Sequence, residues 1–291
     1  MHIFLKSIGY GKIKSEKIWN HYLKETEKTY THHELVALDR EIDFCEFRRE
    51  CGTGIGISVC GDMDESEHFE RQYYYPYFSG SGISSCAEVT IERRMDREAY
   101  IGICEDSRIG ITLIFHLQNT AEYLIEKQAG KNRFGSESIT LAGLCNEGTI
   151  LLPVMKNKEQ KEQIKKESRD RKILLSAARS GDQDAMETLT LDDMDTYSKV
   201  SRRLITEDIF SIVDTYFMPY GMECDRYSIL GEIISIEMIE NKDTKEPLYK
   251  MRLDVNELPF DICVPKNSVI GEPEAGRRFK GDIWLQGKIN F

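Results

Sequence analysis

A chain of 291 residues with a formal net charge of −11 is longer than one hydrophobic core usually serves, which predicts two globular units or one unit with a long extension. Its 40% hydrophobic and 10% aromatic content is that of a folded protein, and no window is apolar enough to span a bilayer. The acidic balance works against sequence-independent binding to nucleic acid or to an anionic membrane, because neutralising phosphates requires a basic surface.

The opening "MHIFLKSIGYGKIKSEK" has only a short apolar run and no small-residue cleavage site, so no export signal and a cytoplasmic location are expected. Ser15 can cap a helix in which Ile18, Trp19, Tyr22 and Leu23 form one apolar face. From about residue 34 the period changes to that of strands. "ELVALDREIDFCEF", "GIGISVCG", "FERQYYYPYF", "AEVTIERR", "AYIGIC", "RIGITLIFHLQ", "SITLAGLC" and "TILLPV" are short, β-branched and aromatic, with Gly, Asp, Asn or Ser between them. One helix is expected to interrupt them at "NTAEYLIEKQ", between a cap at Asn119 or Thr120 and a stop at Gly130.

Residues 156–206 read as three helical pieces. The first, "KNKEQKEQIKKESRDRK", sets eight Lys/Arg against four Asp/Glu with Ile164 as its only large apolar residue, a solvated connector. A second piece starts behind Asp182. A third starts behind Thr190, with Asp193 completing a capping box and Met194, Tyr197, Val200 and Leu204 making an apolar stripe. Asp192, Asp193 and Asp195 then fall in a first helical turn, where they complement the helix dipole rather than bind metal.

After "EDIFSIVDTYFMPYG" the chain is β again, with Met251, Leu253 and Val255, then Leu258, Phe260, Ile262 and Val264, each alternating with polar or smaller residues. In "GRRFKGDIWLQGKINF" the set Phe279, Gly281, Ile283, Leu285, Gly287, Ile289 and Phe291 alternates with a polar set, and Trp284 stands among the polar residues. Such strands can curl into a small barrel, with Gly281 and Gly287 admitting the curvature. The expected fold is α+β: a β-rich domain over 1–155, a helical connector over 156–206 and a small antiparallel barrel of oligonucleotide/oligosaccharide-binding (OB) type over 207–291.

No catalytic or cofactor motif survives inspection. "CGTGIGISVCG" lacks the third glycine of a dinucleotide fingerprint and leads into a strand, not a helix. "DMDESEHFERQY" has Glu67 and Tyr73 where a calcium loop needs glycine and glutamate, and no cysteine or histidine spacing suits zinc. No cofactor and no metal are therefore expected. The eight cysteines sit mostly in apolar runs and read as reduced thiols, and His116 reads as a core or cross-strand residue. The candidate ligand or partner surface comprises Trp284 as a stacking platform with Arg277, Arg278 and Lys280 near it, Tyr75 and Tyr77 from an aromatic strand, and Asp106 with Arg108 in a turn. For Trp284 the reading preferred over an open platform is burial under the stripe Met194, Tyr197, Val200 and Leu204, since a free indole leaves apolar area in water.

The stretches "AARSGDQDAMETLTLDDMDTYSKVSRRL", "SIVDTYFMPYGMECDRYSILGEI" and "GEPEAGRRFKGDIWLQGKI", with "GISVCG" and "LIFHLQN", resemble the bacterial family called domain of unknown function 3881. The resemblance covers nearly the whole chain; it implies a cytosolic protein of Gram-positive anaerobes and carries over no site residue. The residues themselves favour a non-enzymatic binding or scaffold protein, with a protein partner. A hydrolase-like enzyme assembled only in the fold and a nucleic-acid binder using the barrel are the alternatives.

Overall fold

The computed structural model describes residues 1–38, 42–94, 98–130, 137–154, 158–203, 205 and 207–291. Lys156 and Leu204 lie outside them. The chain opens with a 3-10 segment, Ile3–Ile8, that ends at Gly9, where a φ of 93° suits a residue without a side chain. Helix α1 (Glu16–Thr26) follows Ser15 as expected, but only Trp19 and Leu23 of its apolar set are buried, and Ile18 is exposed.

The expected β region comes next. Strands β1 (His32–Ala37), β2 (Ile42–Gly52), β3 (Ile55–Asp64) and β4 (Phe69–Phe78) make a four-stranded antiparallel meander. They are followed by β5 (Val89–Arg93), β6 (Tyr100–Cys104), β7 (Leu113–Leu117), helix α2 (Thr120–Gln128) and β8 (Ser138–Leu151). The segments expected as two strands around Asn146 are therefore one.

The helical segment has two long helices instead of three pieces: α3 (Lys158–Arg179) and α4 (Gln183–Arg203), packed on each other. Gly181, at φ 93°, turns the chain, and Asp182 caps α4 by accepting from the Ala185 N–H at 3.1 Å. Thr190 starts no new helix; its hydroxyl donates to the Met186 carbonyl one turn back, at 2.8 Å. Asp193 and Asp195 thus lie mid-helix, paired with Arg171 (2.8 Å) and Lys199 (2.7 Å).

A short helix α5 (Ile209–Ile212) leads into β9 (Tyr216–Pro219), β10 (Arg226–Glu240), β11 (Pro247–Val255), β12 (Leu258–Pro265), β13 (Val269–Ile270) and β14 (Arg278–Asn290). Between β11 and β12 a two-residue loop has Asn256 and Glu257 at φ 53° and 65°, the hand that matches strand twist.

The fold is α+β, mostly strand, and contains a closed barrel of five strands. Around the ring the order is β8, β12, β11, β10, β14 and back to β8; only β8–β12 is parallel. Four barrel strands come from the C-terminal part, and the fifth, β8, precedes the connector. Gly281 and Gly287 do face tight places: a Cβ would lie 2.8 Å from the Phe279 ring at the first and 2.5 Å from the Phe115 ring at the second. Beyond the barrel, β14 pairs in parallel with β7 at Gln286 and Gly287, which adds β6 and β5 to the sheet. Gln286 donates to the Pro76 carbonyl and accepts from the Phe78 N–H, fastening the meander across this extension. One buried apolar cluster, from Phe4 to Ile289, runs through both sheets.

Candidate functional site

Trp284 is 5% exposed, so the polar face of β14 is not the wet face its sequence suggests. The N-terminal segment covers it: the His2 ring centroid is 4.6 Å away and that of Phe4 5.8 Å, with His116 at 5.2 Å and Tyr75 at 6.4 Å on other sides. Its indole N–H donates to Asp225 at 3.0 Å, and Arg94 pairs with the same carboxylate. Of the expected cover, the α4 stripe, Met194 and Tyr197 stay in solvent and Val200 is half-buried. Met194 is 63% and Tyr197 75% exposed.

Behind Trp284, alternate residues of β2, β3 and β4 turn a polar row toward β7. Glu46 accepts from the Ser58 hydroxyl and, at 3.0 Å, from the Tyr75 hydroxyl, and Arg48 reaches it at 3.1 Å. Arg48 also donates to the Gln118 carbonyl, while the Gln118 amide donates to Phe78 and Gln286 at 2.8 Å each. A hydrolytic site needs a serine bonded to a histidine, but here the Ser58 hydroxyl goes to Glu46, His116 meets the group only through the Tyr75 ring at 4.4 Å between centroids, all four side chains are buried, and the carboxylate is already shared by three donors. His116 is core, as expected, yet both ring nitrogens have no hydrogen-bond partner among the described residues. Burial, then the charges of Arg94, His2 and Arg48, push its pKa down to about 3, so it is neutral at ordinary pH. Tyr75 and Trp284 are the sequence candidates the fold brings together. His2, Arg94, Glu46, Ser58 and Asp225 join them without any sequence signal, since each is isolated in its own stretch of chain.

The basic candidates make no open surface. Arg278 is buried and gives its donors to backbone carbonyls of Leu152 (3.0 Å), Val213 (2.8 Å) and Phe210 (2.7 Å), so it ties the root of the helical segment to the barrel. Arg277 bonds the Glu272 carbonyl and pairs with Glu274 at 2.9 Å, and Lys280 lies 4.5 Å from the centre of the Phe210 ring. Arg108 binds Asp106 through Nε at 2.8 Å and donates to the carbonyls of Ser84 (2.8 Å) and Glu257 (2.6 Å), a clamp between loops whose cation holds the Asp106 carboxyl down to about 2 against the opposing effect of burial. Tyr77 is half-buried, with the Arg48 guanidinium 5.8 Å from its ring centre. No group of three or more metal-ligating side chains occurs among the described residues.

The family described as "Domain of unknown function, E. rectale Gene description (DUF3881)" matches residues 5–287. The chain belongs to the DUF3881 family. No curated protein and no solved structure matches it.

One exposed apolar run of this DUF3881 chain lies on α4. Ala185 and Leu189 are buried, while Leu191, Met194 and Tyr197, at successive three-residue steps, are 61, 63 and 75% exposed. Asp192, Asp193 and Asp195 stand among them. None of the described helices is long and apolar enough to cross a membrane.

Proposed function

We propose that this DUF3881 protein is a non-enzymatic binding protein that uses the α3–α4 arm to dock a protein partner. The exposed run Leu191, Met194 and Tyr197 carries the reading, because three large side chains on one helix face leave apolar area in water that a partner would remove, at about 25 cal/mol per Å². The commitment of Glu46, Ser58 and Tyr75 to one another supports it against the hydrolase alternative. The use of Arg278 and Arg108 on internal carbonyls supports it against nucleic-acid binding. The barrel is read as OB-type: its ring has the OB succession of strand neighbours, with one parallel pair, if the last strand of that fold is moved to the front of the chain as β8. Residues 156–206 are then a connector inserted between the first and second barrel strands. Six buried free thiols fit a reducing, cytoplasmic setting.

The test is a photo-crosslinker placed at Tyr197 in cells. A discrete protein adduct is expected, lost on Leu191→Asp or Met194→Asp with no change in the denaturation midpoint. An adduct pattern indifferent to both substitutions would refute the docking role, and turnover in a panel of ester, peptide and phosphate substrates would restore the enzyme.

A further inference from the structure

A cleft of 310 Å³ opens where the N-terminal 3-10 segment meets the barrel, lined by Phe4, Lys6, Glu147, Arg226, Asp282 and Ile283 among others. Its size is at the small-metabolite end of ligand pockets. The lining is built by an irregularity. From Gly281 opposite Gly148 the β14–β8 register passes to Ile283 opposite Cys145, so Asn146 and Glu147 together face Asp282. A bulge of this kind bends the strand and re-aims its side chains. Asn146 is fixed there, accepting from the Ser7 hydroxyl at 2.9 Å and donating to the Ile3 carbonyl at 3.2 Å, which anchors the N-terminal segment as the opposite wall.

The charges in this cleft are both signs and are poorly matched to each other. Asp282 has no side-chain hydrogen bond or ion pair among the described residues, and Lys6 has only a 3.9 Å contact with the exposed Glu147. Arg226 pairs with Glu223 at 2.9 Å and lies 5.5 Å from the Phe4 ring centre, which leaves guanidinium donors over. Asp282 on one side, and Lys6 with the spare Arg226 donors on the other, are not paired with each other, and a molecule carrying both charges can bridge them with charge-assisted hydrogen bonds at each end. Phe4 and Ile283, both buried, supply an apolar floor.

We propose that this cleft is a binding site for a free α-amino acid, with its carboxylate on Lys6 and Arg226 and its ammonium on Asp282. The site is independent of the α4 surface, and either can fail without the other.

Trp284 reports on it, since its ring stacks on Phe4, a wall of the cleft. The protein has two tryptophans, so the full-length Trp19→Phe variant isolates the signal. That variant is titrated with each of the common free amino acids, and the best one is then compared with its N-acetyl and carboxamide forms. A saturable fluorescence change is expected, at least about tenfold weaker for either blocked form, a difference of about 1.4 kcal/mol. Asp282→Asn and Lys6→Gln, both at exposed or part-exposed positions, should each weaken it about tenfold while the denaturation midpoint stays put. Calorimetry of the same titrations checks that the optical change is binding. No saturable change up to about 10 mM of any amino acid, equal binding of blocked and free forms, or unchanged affinity in both variants would each overturn the assignment.

Discussion

Truncating Trp284 tests the central packing claim. The indole is held by four aromatic neighbours and one hydrogen bond to Asp225, and the nearest cover is the N-terminal segment. Trp284→Ala removes the ring and leaves a cavity between His2, Phe4 and His116, for which about 3–5 kcal/mol is the usual loss. Trp284→Phe keeps much of the ring contact and removes only the donor. A hydrogen bond to a carboxylate contributes about 1.5–3 kcal/mol, and because Arg94 still satisfies Asp225 the loss should lie at the low end, about 1.5 kcal/mol. Equilibrium urea denaturation of the three proteins, with a shared m-value, reads both steps. A double-mutant cycle with Asp225→Ala, which removes the acceptor, should return the hydrogen-bond part as coupling. A loss below about 0.5 kcal/mol for Trp284→Ala would refute the packed role and return the indole to the list of surface candidates.

Protonating His2 and His116 should destabilise the fold. Both pKa values lie below the ordinary 6.5, at about 4 and about 3, chiefly through burial, so the unfolded chain binds these protons first. Stability should be full above about pH 6.5 and fall toward about pH 4 by about 1.4 kcal/mol per pH unit for each histidine, and His116→Phe should halve that slope; urea midpoints at several pH values decide it. At pH 7 the same substitution, by removing two unpartnered nitrogens, should leave stability equal or raise it by about 1 kcal/mol, whereas a clear loss would mean that those nitrogens are satisfied in solution. Residues 207–291 expressed alone should lack a folded barrel, since β8 closes the ring, and adding residues 1–155 as a second chain should restore it; an independently folded 207–291 fragment, by circular dichroism and heteronuclear NMR, would contradict the ring. Under native conditions an alkylating reagent should modify Cys86 and Cys224 first and the six buried thiols only on unfolding, with mass analysis showing the order.

Strand periodicity carried most of the local structure. Alternation in β11, β12 and β14 was readable because one face of each is apolar, and α2 was readable from Asn119 and Gly130. What failed was everything decided at long range. Trp284 was readable as covered but not by what, and Gln286 looked wet, because their cover arrives from the N-terminus and from β4, which no local pattern encodes. Asn146 and Glu147 looked like a break because polar residues in a bulge and in a turn are written alike. Thr190 looked like a cap because a hydroxyl that bonds one turn back has the same sequence as one that starts a helix. The conjunction of Glu46, Ser58, Tyr75 and His116 had no sequence signal at all, since three strands of the meander and one of the extension contribute one residue each.

The place of β8 in the ring also sets how this chain can change length. The arm leaves the barrel after one strand and returns before the next, so it spans two points already fixed by strand pairing, and its own residues are not needed to close the ring. Closing a flexible loop grows costlier only logarithmically, about 0.6 kcal/mol for each doubling. Relatives can therefore differ in the arm far more than in β8 or β14, and the natural place to open this chain, or to insert a foreign domain into it, is the middle of the molecule rather than either end.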